Sequence, residues 1–186
     1  VLFEHTAAPG FTTPRQLRSV LTAGGGTVTL YAPASASDSP SALRMSSDSQ
    51  WAVFGVPSGG GSQFRAVPPQ GGAAVNLASG GAVVLAPDAS RVAYHTARQD
   101  YGTDVESVQI FGGGRRNLSE MGGFGYATTP QFSPDGRWVL FDVQVISAAP
   151  ERNQLGYELR ISDGTAGQPP QPPVGTYAVR LPVVMR

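Results

Sequence analysis

Apolar positions along this chain come in short clusters, three to seven residues long, separated by turn-forming stretches, with almost none of the 3.6-residue spacing of an amphipathic helix. Three segments align with one another: 43–56 (LRMSSDSQWAVFGV), 83–96 (VVLAPDASRVAYHT) and 130–143 (PQFSPDGRWVLFDV). Each reads as an apolar strand, a tight turn carrying Asp48, Asp88 or Asp135, and a second apolar strand. The second strands run apolar for several consecutive residues (Ala52-Val53-Phe54, Val92-Ala93-Tyr94, Val139-Leu140-Phe141), the pattern of a strand covered on both faces. Ser133-Pro134-Asp135-Gly136 places Pro second and Gly fourth, which suits a type I turn. Ala86-Pro87-Asp88-Ala89 keeps the Pro and Asp, and Ser46-Ser47-Asp48-Ser49 keeps the polar, turn-forming character.

The three Asp residues fall 40 and 47 residues apart, the period of a propeller blade. After each second strand come a polar loop, a third strand, a glycine pair or triplet and a short fourth strand. These are 98–103, 104–111, 112–114 and 115–118 in the middle unit. The first full unit places its third strand near 63–67, its glycines at 71–72 and its fourth strand at 74–77; the last unit places its third strand at 157–162. Four strands per unit make a blade. The expectation is therefore an all-β propeller of about four four-stranded blades, a single domain over 1–186, with units at 42–80, 82–119 and 128–166. A partial unit at 1–31 lacks its innermost strand. Placing 180–186 (RLPVVMR) ahead of Val1 sets Pro182 at the distance from Val1 that Pro134 keeps from Val139. This predicts that strand 177–185 completes the first blade and closes the ring, after an extended polyproline spacer at 168–173. The alternative is a piece of a longer propeller of six to eight blades.

Composition supports the strand reading. There are 24 Gly and 16 Pro among 186 residues, well above the usual share of roughly 12%, a load that interrupts helices and suits strands joined by turns. A hydrophobic content of 40% in compact clusters argues against disorder. The 13 acidic residues balance 13 basic ones, all Arg, and no basic stripe offers the footprint of a nucleic-acid binder. No apolar run approaches a membrane span, which argues against membrane insertion. With no Cys there is neither a disulfide framework nor a thiolate metal site.

The segments 131–143 (QFSPDGRWVLFDV) and 98–123 (RQDYGTDVESVQIFGGGRRNLSEMGG) resemble the repeats of the TolB family of β-propellers: a Ser-Pro-Asp-Gly core before an apolar strand, then a Gly-containing loop, a third strand, a Gly-Gly turn and an Arg-Asn-Leu-Ser fourth strand. The resemblance covers most of 41–164. It implies a propeller and a protein-interaction role outside the cytoplasm, periplasmic or at the cell surface. It does not specify a ligand, because the fold hosts many functions.

Asp48, Asp88 and Asp135 recur once per unit, which marks them as structural turn formers rather than a catalytic pair. His5 and His95 are offset by one position in the alignment and do not form a ring of ligands. Asp100 and Asp104 lack the alternating oxygen pattern of a calcium loop and read as a solvated loop. No Gly-x-Ser-x-Gly elbow or phosphate loop occurs. Trp51 and Trp138 hold equivalent positions and read as interblade packing. No catalytic, cofactor or metal residue is therefore expected. Binding in repeat folds comes from loops on one face. Here those are the loops between second and third strands (5–15, 57–62, 97–103, 144–156) and between blades (32–41, 78–81, 119–127). That face would present Phe11, Arg15, Arg98, Tyr101, Phe124, Tyr126 and Arg152, types enriched at interaction hot spots. The function expected is a non-enzymatic interaction module for a protein partner. Its rivals are the propeller part of a larger enzyme, peptidases included, and a small-ligand or glycan-binding propeller.

Overall fold

The computed structural model describes residues 1–6, 13–99, 102–119, 125–146 and 155–162, with the backbone alone for 145–146 and 155–162. The described residues form an all-β fold with no α-helix; one 3-10 turn (Ala36–Asp38) lies on the way from the first blade to the second. Among them no helix is long and apolar enough to cross a membrane.

The described residues include thirteen strands, in a three-stranded sheet and a ten-stranded sheet, and are taken blade by blade below in the order of the sequence repeat. Blade 1 is β1 (Leu2–Thr6), β2 (Arg15–Ser19) and β3 (Val28–Tyr31). Blade 2 is β4 (Ser41–Met45), β5 (Ala52–Ser58), β6 (Gly61–Val67) and the first half of β7 (Val75–Leu85). Blade 3 takes the second half of β7, then β8 (Arg91–Ala97), β9 (Thr103–Gln109) and β10 (Arg116–Asn117). Blade 4 is β11 (Gly125–Phe132), β12 (Val139–Ile146) and β13 (Leu155–Ser162). Consecutive strands within each blade pair antiparallel, and one parallel pair, Tyr126 with Thr103, joins β11 to β9. The expected spacer 168–173 and closing strand 177–185 lie outside the described residues.

The core sits between the blades. Strand alternation sends Phe54, Tyr94 and Phe141 toward the preceding blade, and Val53 and Ala93 toward the following one. Phe54 therefore joins Leu17 and Val67 between blades 1 and 2, with Tyr31 packed against them. Tyr94 meets Val53 and Phe64 between blades 2 and 3, where Trp51 also packs. Phe141 meets Ala93 and Val105 between blades 3 and 4. Two-sided burial accounts for the uninterrupted apolar runs of the second strands.

Two details differ from the sequence reading. Residues 78–81, expected as a loop between blades, lie inside the continuous strand β7, which changes blade at Gly80-Gly81. The missing side chains permit the crossing: a Cβ on Gly80 would strike the His95 carbonyl, and one on Gly81 would lie 2.5 Å from His95 Nε2. The expected loop at 57–62 is a two-residue turn, because Ser58 and Gly61 already pair.

A repeated irregularity also emerges. The register of each first strand shifts between Ser41 and Arg44, Gly81 and Val84, and Thr128 and Gln131. The residues at the shift, Ala42, Ala82 and Thr129, have φ of 52°, 46° and 56°. Each stands six residues before the turn Asp, so the bulge belongs to the repeat.

Candidate functional site

The blades present two ends. Hairpins β4–β5, β7–β8 and β11–β12 turn at one, the turn end, together with the glycine turns before the fourth strands. Hairpins β1–β2, β5–β6, β8–β9 and β12–β13, and the crossings between blades, lie at the other, the loop end.

At the turn end the same bonds repeat. The backbone closes Ser46–Ser49, Ala86–Ala89 and Ser133–Gly136 with N–H to C=O bonds of 2.9, 3.0 and 2.9 Å. The fourth residue of each turn is left-handed, with φ of 58° at Ser49, 59° at Ala89 and 70° at Gly136. Asp48 Oδ1 accepts from the Ser46 hydroxyl at 2.6 Å and the Gln50 N–H at 3.0 Å, while Ser46 Oγ accepts the Trp51 N–H at 2.9 Å. Asp135 repeats this with Ser133 at 2.5 Å and Arg137 at 3.1 Å, and Trp138 donates to Ser133 Oγ at 3.0 Å. In blade 3, where Ala86 replaces the serine, Ser90 supplies both donors to Asp88, at 2.7 and 3.0 Å. The serine hydroxyls first, and the backbone N–H groups second, hold the Asp48 and Asp135 carboxyls below their usual range. Neighbouring turns also touch, through the Ser47 hydroxyl donating to the Pro87 carbonyl.

At the loop end the bonds among the described residues do not repeat. Arg15 opens β2, with its guanidinium 2.5 Å from Glu4 and half of its side chain in solvent. Its backbone N–H donates to Ser39 Oγ at 3.2 Å, which ties the blade 1 hairpin to the crossing into blade 2. Arg98 begins the β8–β9 connection, which its N–H closes onto the Gly102 carbonyl at 2.8 Å. The Arg98 side chain is only 13% exposed and turns onto Asp104 at 3.5 Å. Asp104 also accepts from Ser119 Oγ at 2.8 Å and Asn117 Nδ2 at 2.9 Å. Asp104, read from sequence as part of a solvated loop, is thus a buried strand residue. The reason is its place in the ladder beside Thr96, facing the fourth strand. Tyr126 is half-buried at the start of β11, beside Thr103, whose hydroxyl donates to the Ala127 carbonyl at 2.9 Å.

Of the seven residues expected on the binding face, Arg15, Arg98 and Tyr126 are described, and each is at the loop end of its blade. Arg98 and Tyr126 stand on adjacent connections; Arg15 belongs to blade 1. Phe11, Tyr101, Phe124 and Arg152 lie outside the described residues.

Sequence reasoning missed a charged position opposite each second-strand aromatic. Phe3 pairs with Arg18, Phe54 with Arg65, Tyr94 with Glu106 and Phe141 with Arg160. Arg65 lies over the Tyr31 ring, 5.6 Å from its centroid. Tyr94 donates to Glu106 at 2.6 Å, and Arg115 donates to the same oxygen at 2.5 Å. Burial first, and the bond to Glu106 second, push the Tyr94 phenol well above its usual range. The register that makes these pairs is set by the turn length, and the recurrence of Arg on three third strands was the available signal. Among the described residues no group of three His, Asp or Glu side chains is placed to hold a metal.

Among solved structures the chain is similar to a TolB-type protein from Agrobacterium tumefaciens, with a TM-score of 0.50 and 20% identity, over 83% of this chain and 55% of that one. It is also similar to TolB from Acinetobacter baumannii, with a TM-score of 0.52 and 18% identity, over 87% of this chain and 38% of that one. The fold is that of a TolB-like β-propeller. Part of the tricorn protease also matches, with a TM-score of 0.54 and 9% identity over 81% of this chain and 16% of that one. The chain thus spans about half the length, or less, of these propeller proteins. No protein-family model matches it, and no curated protein matches its sequence.

Proposed function

We propose that the chain is a non-enzymatic protein-interaction module, one propeller domain over 1–186, which binds a protein partner through its loop end in an extracytoplasmic or cell-surface assembly. The observation that carries the reading is the loop end itself. The parallel pair Tyr126–Thr103, with Arg98 held on Asp104 beside it, fixes the backbone that carries an aromatic side chain, and Arg15 stands half-exposed at the same end of blade 1. Anchors held rigidly by their scaffold lose little entropy on binding, and rigid elements are what a binding constellation needs. The TolB-like fold is compatible with such a role. The rival is that the chain is the propeller of a larger enzyme, and its support is the fold shared with the tricorn protease.

The test is co-purification from the native cell envelope. An Arg15→Ala/Tyr126→Ala variant should lose a captured protein by about tenfold or more, and a turn-end Gln50→Ala variant should keep it. Equal capture by both variants would remove the loop-end reading, and hydrolysis of peptide substrates by the purified chain would remove the non-enzymatic one.

A further inference from the structure

The junction of blades 1 and 2 contains an arginine held by stacking rather than by hydrogen bonds. Alternation along β6 puts Gln63, Arg65 and Val67 on one face and Phe64 and Ala66 on the other. Phe64 and Ala66 pack with Tyr94 of blade 3, and Val67 packs with Leu17 of blade 1. Arg65 therefore faces blade 1, midway along β6 in the ladder between Phe54 and Asn76. Its guanidinium stands over the Tyr31 ring, 5.6 Å from the centroid, and that ring packs on Phe54 with centroids 5.3 Å apart. Phe54 is fully buried, so the stack rests on the core of the junction.

Stacking fixes the cation without satisfying it. An aromatic face stabilises the charge but does not replace the oxygens that a guanidinium takes in bidentate pairs. Arg65 Nε is buried and meets no acceptor among the described residues. Their carboxylates are engaged elsewhere: Glu4, Asp104 and Glu106 pair with Arg15, Arg98 and Arg115. Arg18, the counterpart of Arg65 in blade 1, donates twice to Gln16, two residues back on its strand. Gln63 stands at the same offset from Arg65, but its Oε1 accepts from the Ser79 hydroxyl at 2.8 Å and its Nε2 donates to the Ala78 carbonyl at 3.0 Å.

Blade 3 shows what an arginine and a tyrosine take together when a carboxylate is in reach. Arg115 Nε donates to Glu106 at 2.5 Å, and the Tyr94 hydroxyl donates to the same oxygen at 2.6 Å. Glu106 holds in blade 3 the register position that Arg65 holds in blade 2, opposite the second-strand aromatic. A buried donor without an acceptor is costly, and a guanidinium cannot shed its charge to avoid that cost.

We infer that Arg65, stacked on Tyr31, is a binding site for a ligand carboxylate at the junction of blades 1 and 2. The carboxylate pairs with Nε and one Nη of Arg65, and belongs to a small acid or to a Glu or Asp side chain of a partner. Asn76, exposed on β7 at the register position beside Arg65, is the nearest polar side chain in the ladder. The site lies midway along the strands and does not depend on the loop-end contact.

The experiment follows the Arg65 Nε–H resonance of the full chain by NMR, assigned through its side-chain connectivities. Succinate, tetraglutamate or tetraglutamine is added, each against sodium chloride of equal ionic strength. A saturable shift is expected with a carboxylate probe, and none with tetraglutamine or salt. Saturation by succinate alone assigns the site to small acids, and saturation by tetraglutamate assigns it to acidic segments of a partner. Arg65→Met, which keeps the apolar stem, should weaken binding by about tenfold or more. Far-UV circular dichroism checks that it folds; if it does not, Arg65→Lys, which keeps the charge but not Nε, replaces it with the same direction expected. No saturable shift with either carboxylate probe, an equal shift with tetraglutamine, or undiminished affinity in the variant overturns the inference.

Discussion

The two ends of the blades are built by opposite rules. At the turn end the same bonds recur blade after blade: an Asp carboxylate collecting a hydroxyl and an N–H two residues on, a left-handed fourth residue, and a serine or its replacement behind it. At the loop end no bond recurs among the described residues. Blade 1 uses Arg15 with Glu4, blade 2 a two-residue turn, and blade 3 a loop pinned by Arg98 on Asp104. A feature needed once per repeat holds each repeat together, whereas one that occurs in a single blade is free to serve a partner. This contrast is what supports the loop end, rather than the turn end, as the proposed contact surface.

The comparison breaks most visibly at Gly80. The loop end tolerates variety in its loops but not where β7 crosses between blades, because a side chain there would enter the His95 backbone. Gly80→Val should cost about 3 kcal/mol through overpacking, read as a lower denaturant midpoint. Near-wild-type stability would mean that the blades are not held this tightly at the crossing.

At the turn end, Ser46→Ala removes the bond to Asp48 and the acceptor of the Trp51 N–H together. A loss of about 1–2 kcal/mol is expected, with Ser133→Ala behaving alike. Unequal effects in chemical denaturation would show that the two turns are not equivalent.

Acid should separate the ends by pH. Burial holds the His95 imidazole below its usual range, so the unfolded chain binds that proton first. Its contribution is complete above about pH 6.5 and lost as pH falls through the folded value. The Asp48 and Asp135 carboxyls, depressed by their serine partners, keep their contribution until about pH 4 and lose it below. Thermal scans from about pH 8 to pH 3 should show two declines, the first removed by His95→Gln and the second reduced by Asp48→Asn/Asp135→Asn. The smallest effect is at Ala89, left-handed at φ 59° where Gly136 stands in blade 4. Ala89→Gly relieves about 1 kcal/mol of backbone strain against about 0.5 kcal/mol of added chain entropy and about 0.8 kcal/mol for the buried methyl, so Tm should move by no more than about 2 °C.

Much of this architecture was legible. Continuous apolar runs after Asp48, Asp88 and Asp135 gave the second strands and their two-sided burial, and the 40- and 47-residue spacings gave the blades. The bulges were hidden because Ala42, Ala82 and Thr129 are not residues that favour positive φ; only neighbouring strands impose it. The crossing through β7 was hidden because Gly80-Gly81 signals a turn as readily as a close approach. The inward turn of Arg98 depended on the ladder that sets Thr96 beside Asp104, a register that composition does not encode. What the sequence displayed at the loop end was residue types, and which of them are anchored and which are presented is a matter of tertiary placement.

The most direct test of the loop end as the contact surface is site-specific photo-cross-linking in cells that express the protein. A photoreactive phenylalanine analogue is placed at Tyr126 in one variant and at Gln50, on the turn end, in another. The account predicts a discrete protein adduct from position 126 and none from position 50. An adduct from position 50 alone would contradict it.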